Sequence, residues 1–393
     1  MTEKSTPTPP RASFGQWVGA AFHVGLRSNV LVYVLAIVVA LLVGAVLILL
    51  AGASVGEAYA AMFRGSIFNY QAKTAAAMFA PLTASVYAAA PLIIAGLGLA
   101  VGFRAGLFNI GGNGQIIAGA IVAAYIGFTF NFPPFVHMLV CLIGAIAAGA
   151  FYAWIAGILK AKTGANEVIL TIMLNSIAAL GLNHLLTTKT FQQAGSANPR
   201  SETIAAGAQL PDLLPRPFQL NLGIIIAIAA AIFVWWYLER STWGFELRAV
   251  GANPNAAQSA GMSIAKVTAL TMALSGALTG LAGGVQLTGT MKFLDAGVAG
   301  SIGFDAITVA LLGRSKPLGT FLAGLLFGAF KAGGRIMQVQ ADVPIDMVLI
   351  LQSVIVLLIA APPFVRWLFH LPRPQTMTIR QYLALQAEKE VAA

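Results

Sequence analysis

The sequence predicts an all-α, polytopic bundle of about ten membrane-spanning helices with both termini in the cytoplasm. Three observations carry that expectation. Hydrophobic residues make up 58% of the 393-residue chain and charged residues only 9%, against roughly 25% charged in a soluble domain. Apolar runs of span length recur along the chain. Lys and Arg gather in alternate connections between those runs.

So few charges cannot cover a surface that faces water, so membrane lipid is the first expected partner. The 41 glycines suit helices that pack closely in a bilayer. A formal charge of +10 would suggest nucleic acid in a soluble protein. Here no Lys/Arg run interleaves with aromatics, and the reading is no nucleic acid. The single cysteine, Cys141, can form no internal disulfide and reads as a small packing residue.

Residues 1–28 include Thr6-Pro7-Thr8-Pro9-Pro10 and lack an early apolar core. They read as a cytoplasmic tail plus a surface helix rather than a cleavable signal. Residues 29–365 form the expected transmembrane domain. A span needs about 20 mainly apolar residues. Ten segments meet or approach that, near 29–51, 76–103, 112–130, 133–159, 166–187, 219–238, 264–288, 300–313, 317–335 and 343–362. The eighth is short and bounded by glycines, as a half-helix would be. Residues 366–393 are the expected cytoplasmic C-terminal tail.

With the N-terminus inside, 15 of the 23 Lys and Arg fall on the inner side, the bias that orients multi-pass proteins. Lys331 and Arg335 fall on the outer side in this count. Two connections are long. Residues 188–218, outside, are broken by Pro199, Pro211, Pro215 and Pro217. Residues 239–263, inside, are compact and mixed in charge. Long ordered connections are commonly functional. A weak internal similarity links Ala105-Gly106-Leu107 to Ala296-Gly297-Val298, each before a Gly-rich helix start, as in the duplicated halves of transporters.

Four motifs stand out. In the first, Gly106 to Gln115, four glycines stand with Asn109, Asn113 and Gln115 between two spans. Pro81 and Pro91 kink the preceding helix, and irregular backbone at membrane depth must be buried or line a cavity. Side-chain amides donate and accept, which suits hydroxyls and base edges. The other reading is a polar turn at the membrane surface beside Arg104.

The second motif is Thr163-Gly164-Ala165-Asn166-Glu167 with Thr171 and Asn175. Asn166 and Glu167 can cap and complement a helix start. Glu167, Thr171 and Asn175 also recur every four residues, within about 80° on a helix. A polar stripe in a membrane helix faces the bundle interior or a water-filled path.

In the third, the inner connection carries Glu246, Arg248, Gly251, Asn253, Pro254, Ala256 and Gly261. Asn253 as N-cap, Pro254 at N1 and Gly261 past the end define a two-turn helix. Too short to stand alone, it must dock on its own spans or on a partner. The fourth is Asp305, an intramembrane carboxylate and hence a candidate site, or a first-turn partner of its helix dipole.

The chain holds no phosphate-binding loop, no metal cluster among its four His and one Cys, and no nucleophile elbow. An enzyme is therefore not expected, and no cofactor or metal. The amide-rich route lacks a deep basic cluster, which favours a neutral polar cargo. Phe103, Phe108 and Phe304 could stack on a base or simply pack.

At these motifs the sequence resembles permeases of nucleoside-type ABC importers, within the wider ribose and branched-chain amino acid permease group. The matching residues are Gly106–Gln115, Thr163–Val168 with Thr171–Asn175, Arg248–Gly261, Ser275–Gly283, and Gly303–Asp305 through Ala310–Arg314. The similarity spans roughly residues 75–362, and Thr163–Glu167 points most specifically to the nucleoside branch. The resemblance implies a multi-pass bacterial plasma (inner) membrane protein. It also implies a separate ABC ATPase subunit, a second homologous permease and an extracellular or periplasmic substrate-binding lipoprotein. The 239–263 connection would seat on the ATPase, and the substrate path would run by Asn109, Asn113, Gln115, Glu167, Thr171, Asn175 and Asp305. One departure stands out: the family often has Ala-Glu where this chain has Gly112-Asn113. The alternatives are a simple-sugar or branched-chain amino acid ABC permease, or an ion-coupled secondary transporter using Glu167 and Asp305.

Overall fold

A computed structural model describes residues 29–196, 198–372 and 383. The expected N-terminal surface helix and most of the C-terminal tail lie outside these residues. The described residues divide into two compact units, one drawn from residues 29–52 and 349–372 and one from residues 53–348. In the first unit α1 (Asn29–Leu50) packs with a short helix, Pro362–Leu368.

The second unit opens with α2 (Val55–Ser66), whose N-cap Ser54 accepts from the Glu57 amide at 3.5 Å. The long helix α3 (Ala75–Arg104) is capped by Thr74 and contains Pro81 and Pro91. It is apolar all round and buried on every side from Ala89 to Gly102, as a central helix must be. Next come α4 (Gly112–Thr129), α5 (Pro134–Thr163) and α6 (Glu167–Leu185). Gly164, at φ +70°, ends α5, and Asn166 caps α6. α7 (Gly223–Arg240), α8 (Thr242–Ala252) and α9 (Pro254–Ser259) follow, with Asn253 capping α9 onto the Ala256 amide at 3.1 Å. α10 (Ile264–Val285) runs into a π-helical turn, Gln286–Met291. α11 (Ile302–Leu312) and α12 (Pro317–Ala341) complete the unit, α13 (Ile345–Ala360) crosses the division, and Pro362–Leu368 is α14.

The described residues contain no strand, only isolated bridges. The all-α class stands, and a helix occupies each of the ten expected segments. Among the described residues, six helices are long and apolar enough to cross a membrane. The number is eight if Val34–Leu50 with Val55–Ser66 and Asp346–Ile359 with Pro362–Leu368 each count as one span. The difference from ten has physical causes. α11 has 11 residues, about 16 Å of helix, half a hydrocarbon core. α12 is long enough but carries Lys331 and Arg335 among its glycines. α2 and α8 were not expected as helices of their own, because Gly, Ser and charged residues dilute their apolar pattern.

α5 and α10 make the closest helix pair. A Cβ on Gly149 would collide with the Gly276 carbonyl, and one on Gly280 with the Ala145 carbonyl. Small residues at intervals of four let the two backbones meet. Gly280→Val should therefore destabilise the protein by about 1–3 kcal/mol, read as a lower melting midpoint of the detergent-solubilised chain. Gly181→Val meets open space and should leave the midpoint unchanged.

α6 is arranged opposite to a soluble helix. Ile169, Met173, Ile177 and Leu180 stand 56–70% exposed, while Glu167, Thr171 and Asn175 are half-buried or buried. A face that apolar demands lipid or a partner chain. The 188–218 connection is ordered over the far end of α10. The Ile204 amide donates to the Lys292 carbonyl at 2.9 Å, and the Leu210 amide to the Thr288 carbonyl at 3.0 Å.

Candidate functional site

The loop between α3 and α4 is held from two sides. Asn109 is fully buried. Its Nδ2 donates to Gln115 Oε1 at 3.1 Å and to Ser275 Oγ at 2.9 Å. Its Oδ1 accepts from the Gly111 amide at 2.9 Å and from Gln115 Nε2 at 3.0 Å. Gln115 Oε1 also accepts from the Thr279 hydroxyl at 2.6 Å. Asn109 thus spends both donors and both lone pairs, and nothing remains for a solute. These two amides fasten the loop to α10.

The polar stripe of α6 holds the loop from the other side. Glu167 Oε1 accepts from the Phe108 amide at 3.3 Å, and Oε2 pairs with Lys160 of α5 at 2.5 Å. Thr171 Oγ1 accepts from the Ile110 amide at 3.3 Å. Asn175 accepts from the Gly114 amide at 2.7 Å and donates to the Ile110 carbonyl at 2.9 Å. Each of these three residues therefore satisfies backbone in the loop or at the start of α4 that would otherwise be stranded. The stripe meets a loop of its own chain.

Asn113 reaches a third element. Its Oδ1 accepts from the Gly303 amide at 2.9 Å. A Cβ on Gly112 would stand 3.2 Å from the Gly303 Cα, so the starts of α4 and α11 abut. Two residues further along α11, Asp305 lies apart from the stripe. It pairs with Lys331 of α12 at 2.8 Å, and Ser301 both donates to Asp305 at 2.7 Å and accepts from Lys331 at 3.1 Å.

The α8–α9 connection forms a separate group. Glu239, at the end of α7, takes Arg104 at 2.9 Å on one oxygen and Arg248 at 2.9 Å on the other. Gly251 packs directly on the Arg104 and Ala105 backbone, where a Cβ would not fit. α8 is thereby bound to the segment that leads into the Gly106–Gln115 loop. Glu246 is half-buried, Ala257 is the buried residue of α9, and Asn253, Pro254, Ala256 and Gly261 are exposed.

The open polar space lies elsewhere. A cavity of about 220 Å³ is lined by Tyr87, Pro91, Gln286, Thr290, Ser301, Lys331 and Arg335, among others. A second, of about 320 Å³, shares Tyr87 and Arg335 and adds Arg64, Asn69 and Gln340. A third, of about 970 Å³, opens beneath the 188–218 connection and shares Tyr87 and Thr290. All three meet at Tyr87, whose hydroxyl donates to the Gly289 carbonyl at 2.8 Å. Sequence reasoning missed this cluster. A signal was present: Gln286 with Thr290, and Lys331 with Arg335, are polar pairs four apart on one helical face.

No group of three or more His, Cys, Asp or Glu among the described residues could hold a metal ion. The sequence matches the family described as "Branched-chain amino acid transport system / permease component" over residues 82–360. It is 37% identical to the guanosine ABC transporter permease protein NupP of Bacillus subtilis (strain 168), over 86% of this chain and 95% of that protein. It is 33% identical to the nucleoside ABC transporter permease protein NupB of Lactococcus lactis subsp. cremoris (strain MG1363), over 93% of this chain and 98% of that one. It is also 32% identical to the glucose ABC transporter permease protein TsgB13 of Haloferax volcanii, over 84% and 87%. No solved structure matches the chain. Apolar outward faces, a tethered polar loop between two spans and the family match lead to one conclusion: the chain belongs to the permease components of the branched-chain amino acid transport type, a membrane transport subunit rather than an enzyme.

Proposed function

We propose that the chain is the conducting subunit of a nucleoside ABC importer in a bacterial plasma membrane. An ABC permease works with an ATPase subunit and a substrate-binding partner. In this reading the ATPase seats on the exposed surface of α9, on the cytoplasmic side. A second, related permease completes the channel, and an extracellular lipoprotein delivers the cargo. Nucleoside is preferred to sugar because relatives named for guanosine and for nucleosides match over nearly their whole length. The glucose relative keeps a sugar as the alternative.

The observation that carries the coupling role is Glu239. It joins Arg248 on α8, the helix that leads into α9, to Arg104 at the end of the central helix, so a push on α8–α9 reaches the loop at Gly106. These pairs are substantially solvent-exposed, and each contributes at most about 1 kcal/mol to stability. Glu239→Ala should leave the melting midpoint of the purified complex nearly unchanged while cutting nucleoside uptake per ATP hydrolysed several-fold. Substitutions at Glu246, Arg248 and Pro254 should alter ATP hydrolysis by the assembled complex. Indifference of that rate to all three would remove the docking assignment.

A further inference from the structure

We propose that the 220 Å³ cavity beside Tyr87 receives the base of the transported nucleoside, with Arg335 and Gln286 reading the edge of a 6-oxopurine. This rests on the nucleoside reading above and adds a site and a preference among bases.

The polar groups of the cavity are not equivalent. Lys331 and Ser301 are already satisfied by Asp305 and by each other, so they form wall. Arg335 borders both this cavity and its 320 Å³ neighbour, and it makes no ion pair among the described residues. Gln286 is half-buried in the same lining, and no hydrogen bond engages its side chain among the described residues. It sits at the start of a π-helical turn, a local departure from α geometry that recurs at functional sites. Tyr87 has its hydroxyl committed to Gly289. That leaves its ring as an apolar wall for a flat ligand.

A free guanidinium offers several in-plane donors and no acceptor. Its match is a pair of neighbouring acceptors in one plane. A 6-oxopurine presents O6 and N7 in that arrangement, whereas adenine places a donor at position 6 and cytosine one at position 4. Gln286 supplies a donor and an acceptor for a second position of the same ring. Lys331, neutralised by Asp305, adds no second net charge that would favour an anion.

The test uses the full complex in proteoliposomes and compares Arg335→Lys and Gln286→Leu with the parent protein. Uptake of guanosine, inosine, adenosine and cytidine is read as the ratio of variant to parent for each solute. The receptor contributes equally to both, so the ratio isolates the permease. Arg335→Lys keeps the charge and loses the planar fork. It should lower guanosine and inosine uptake by roughly tenfold or more while adenosine and cytidine fall much less. Gln286→Leu should reduce uptake of the oxopurine nucleosides in the same direction. Equal losses for all four solutes, or no loss, would overturn the base site and leave the nucleoside assignment standing. Inhibition of uptake by inorganic phosphate that survives in Arg335→Lys and disappears in Arg335→Gln would assign the cavity to an anion and overturn it too. A parent complex that accumulates glucose and no nucleoside would end both readings.

Discussion

Asp305→Ala should destabilise the permease by about 2–4 kcal/mol, below the cost of breaking a fully buried pair because both partners keep some exposure. The side chains of Asp305 and Lys331 are only 14% and 23% exposed. Removing the carboxylate leaves an ammonium with one hydroxyl partner in a largely desolvated place. The double variant Asp305→Leu with Lys331→Met removes both charges and should recover most of the loss, since an apolar pair of similar volume replaces the ions. Melting midpoints of the four proteins in detergent give the double-mutant cycle. The same set separates two mechanisms. If Asp305 carried protons for a gradient-driven transporter, the double variant would be stable and yet unable to transport under any gradient. As a structural pair beside the cavity, it should regain ATP-driven uptake along with stability.

Asn109→Leu should have a comparable effect by a different route. It strands Gln115 Nε2, the Ser275 hydroxyl and the Gly111 amide, three groups that now meet through one side chain. Each unsatisfied buried polar group costs about 1–3 kcal/mol, and a shared network makes the losses cooperative. The expected result is a protein that melts far earlier and transports little at any solute concentration. A variant that folds normally and shows only a raised KM would mean that Asn109 touches cargo. The hydrogen-bond count at Asn109 opposes that outcome.

Much of this architecture was legible in the sequence. Asn253-Pro254 read as a cap and first turn, and they begin α9. The apolar runs located every long helix of the bundle. The fourfold spacing of Glu167, Thr171 and Asn175 revealed that one face of α6 is polar. Spacing could not reveal what that face meets, because its partners lie about 60 residues earlier in a loop without a period of its own. A backbone amide carries no sequence signature, so a stripe that serves a loop and a stripe that serves a solute read alike. Asp305 is a similar case. Its partner Lys331 was placed on the outer side by counting charges, with nothing to say that a turn of α12 would face α11. The cavity residues were hidden for a third reason. Gln286 and Thr290 lie where α10 relaxes into a π turn, a change that leaves no mark on hydrophobic periodicity. Tyr87 stands about one turn before Pro91, in a helix whose prolines drew attention elsewhere.

The reading joins these parts into one route: exposed α9, α8 against the end of α3, the tethered loop, and the abutting starts of α4 and α11. Its central claim is that a separate motor drives the cargo through this chain. The direct measurement is accumulation of labelled guanosine in proteoliposomes that hold the full complex, with ATP supplied on the ATPase side or withheld under an imposed proton gradient. The account expects accumulation with ATP and none from the gradient alone. Gradient-driven accumulation in the absence of ATP would contradict it.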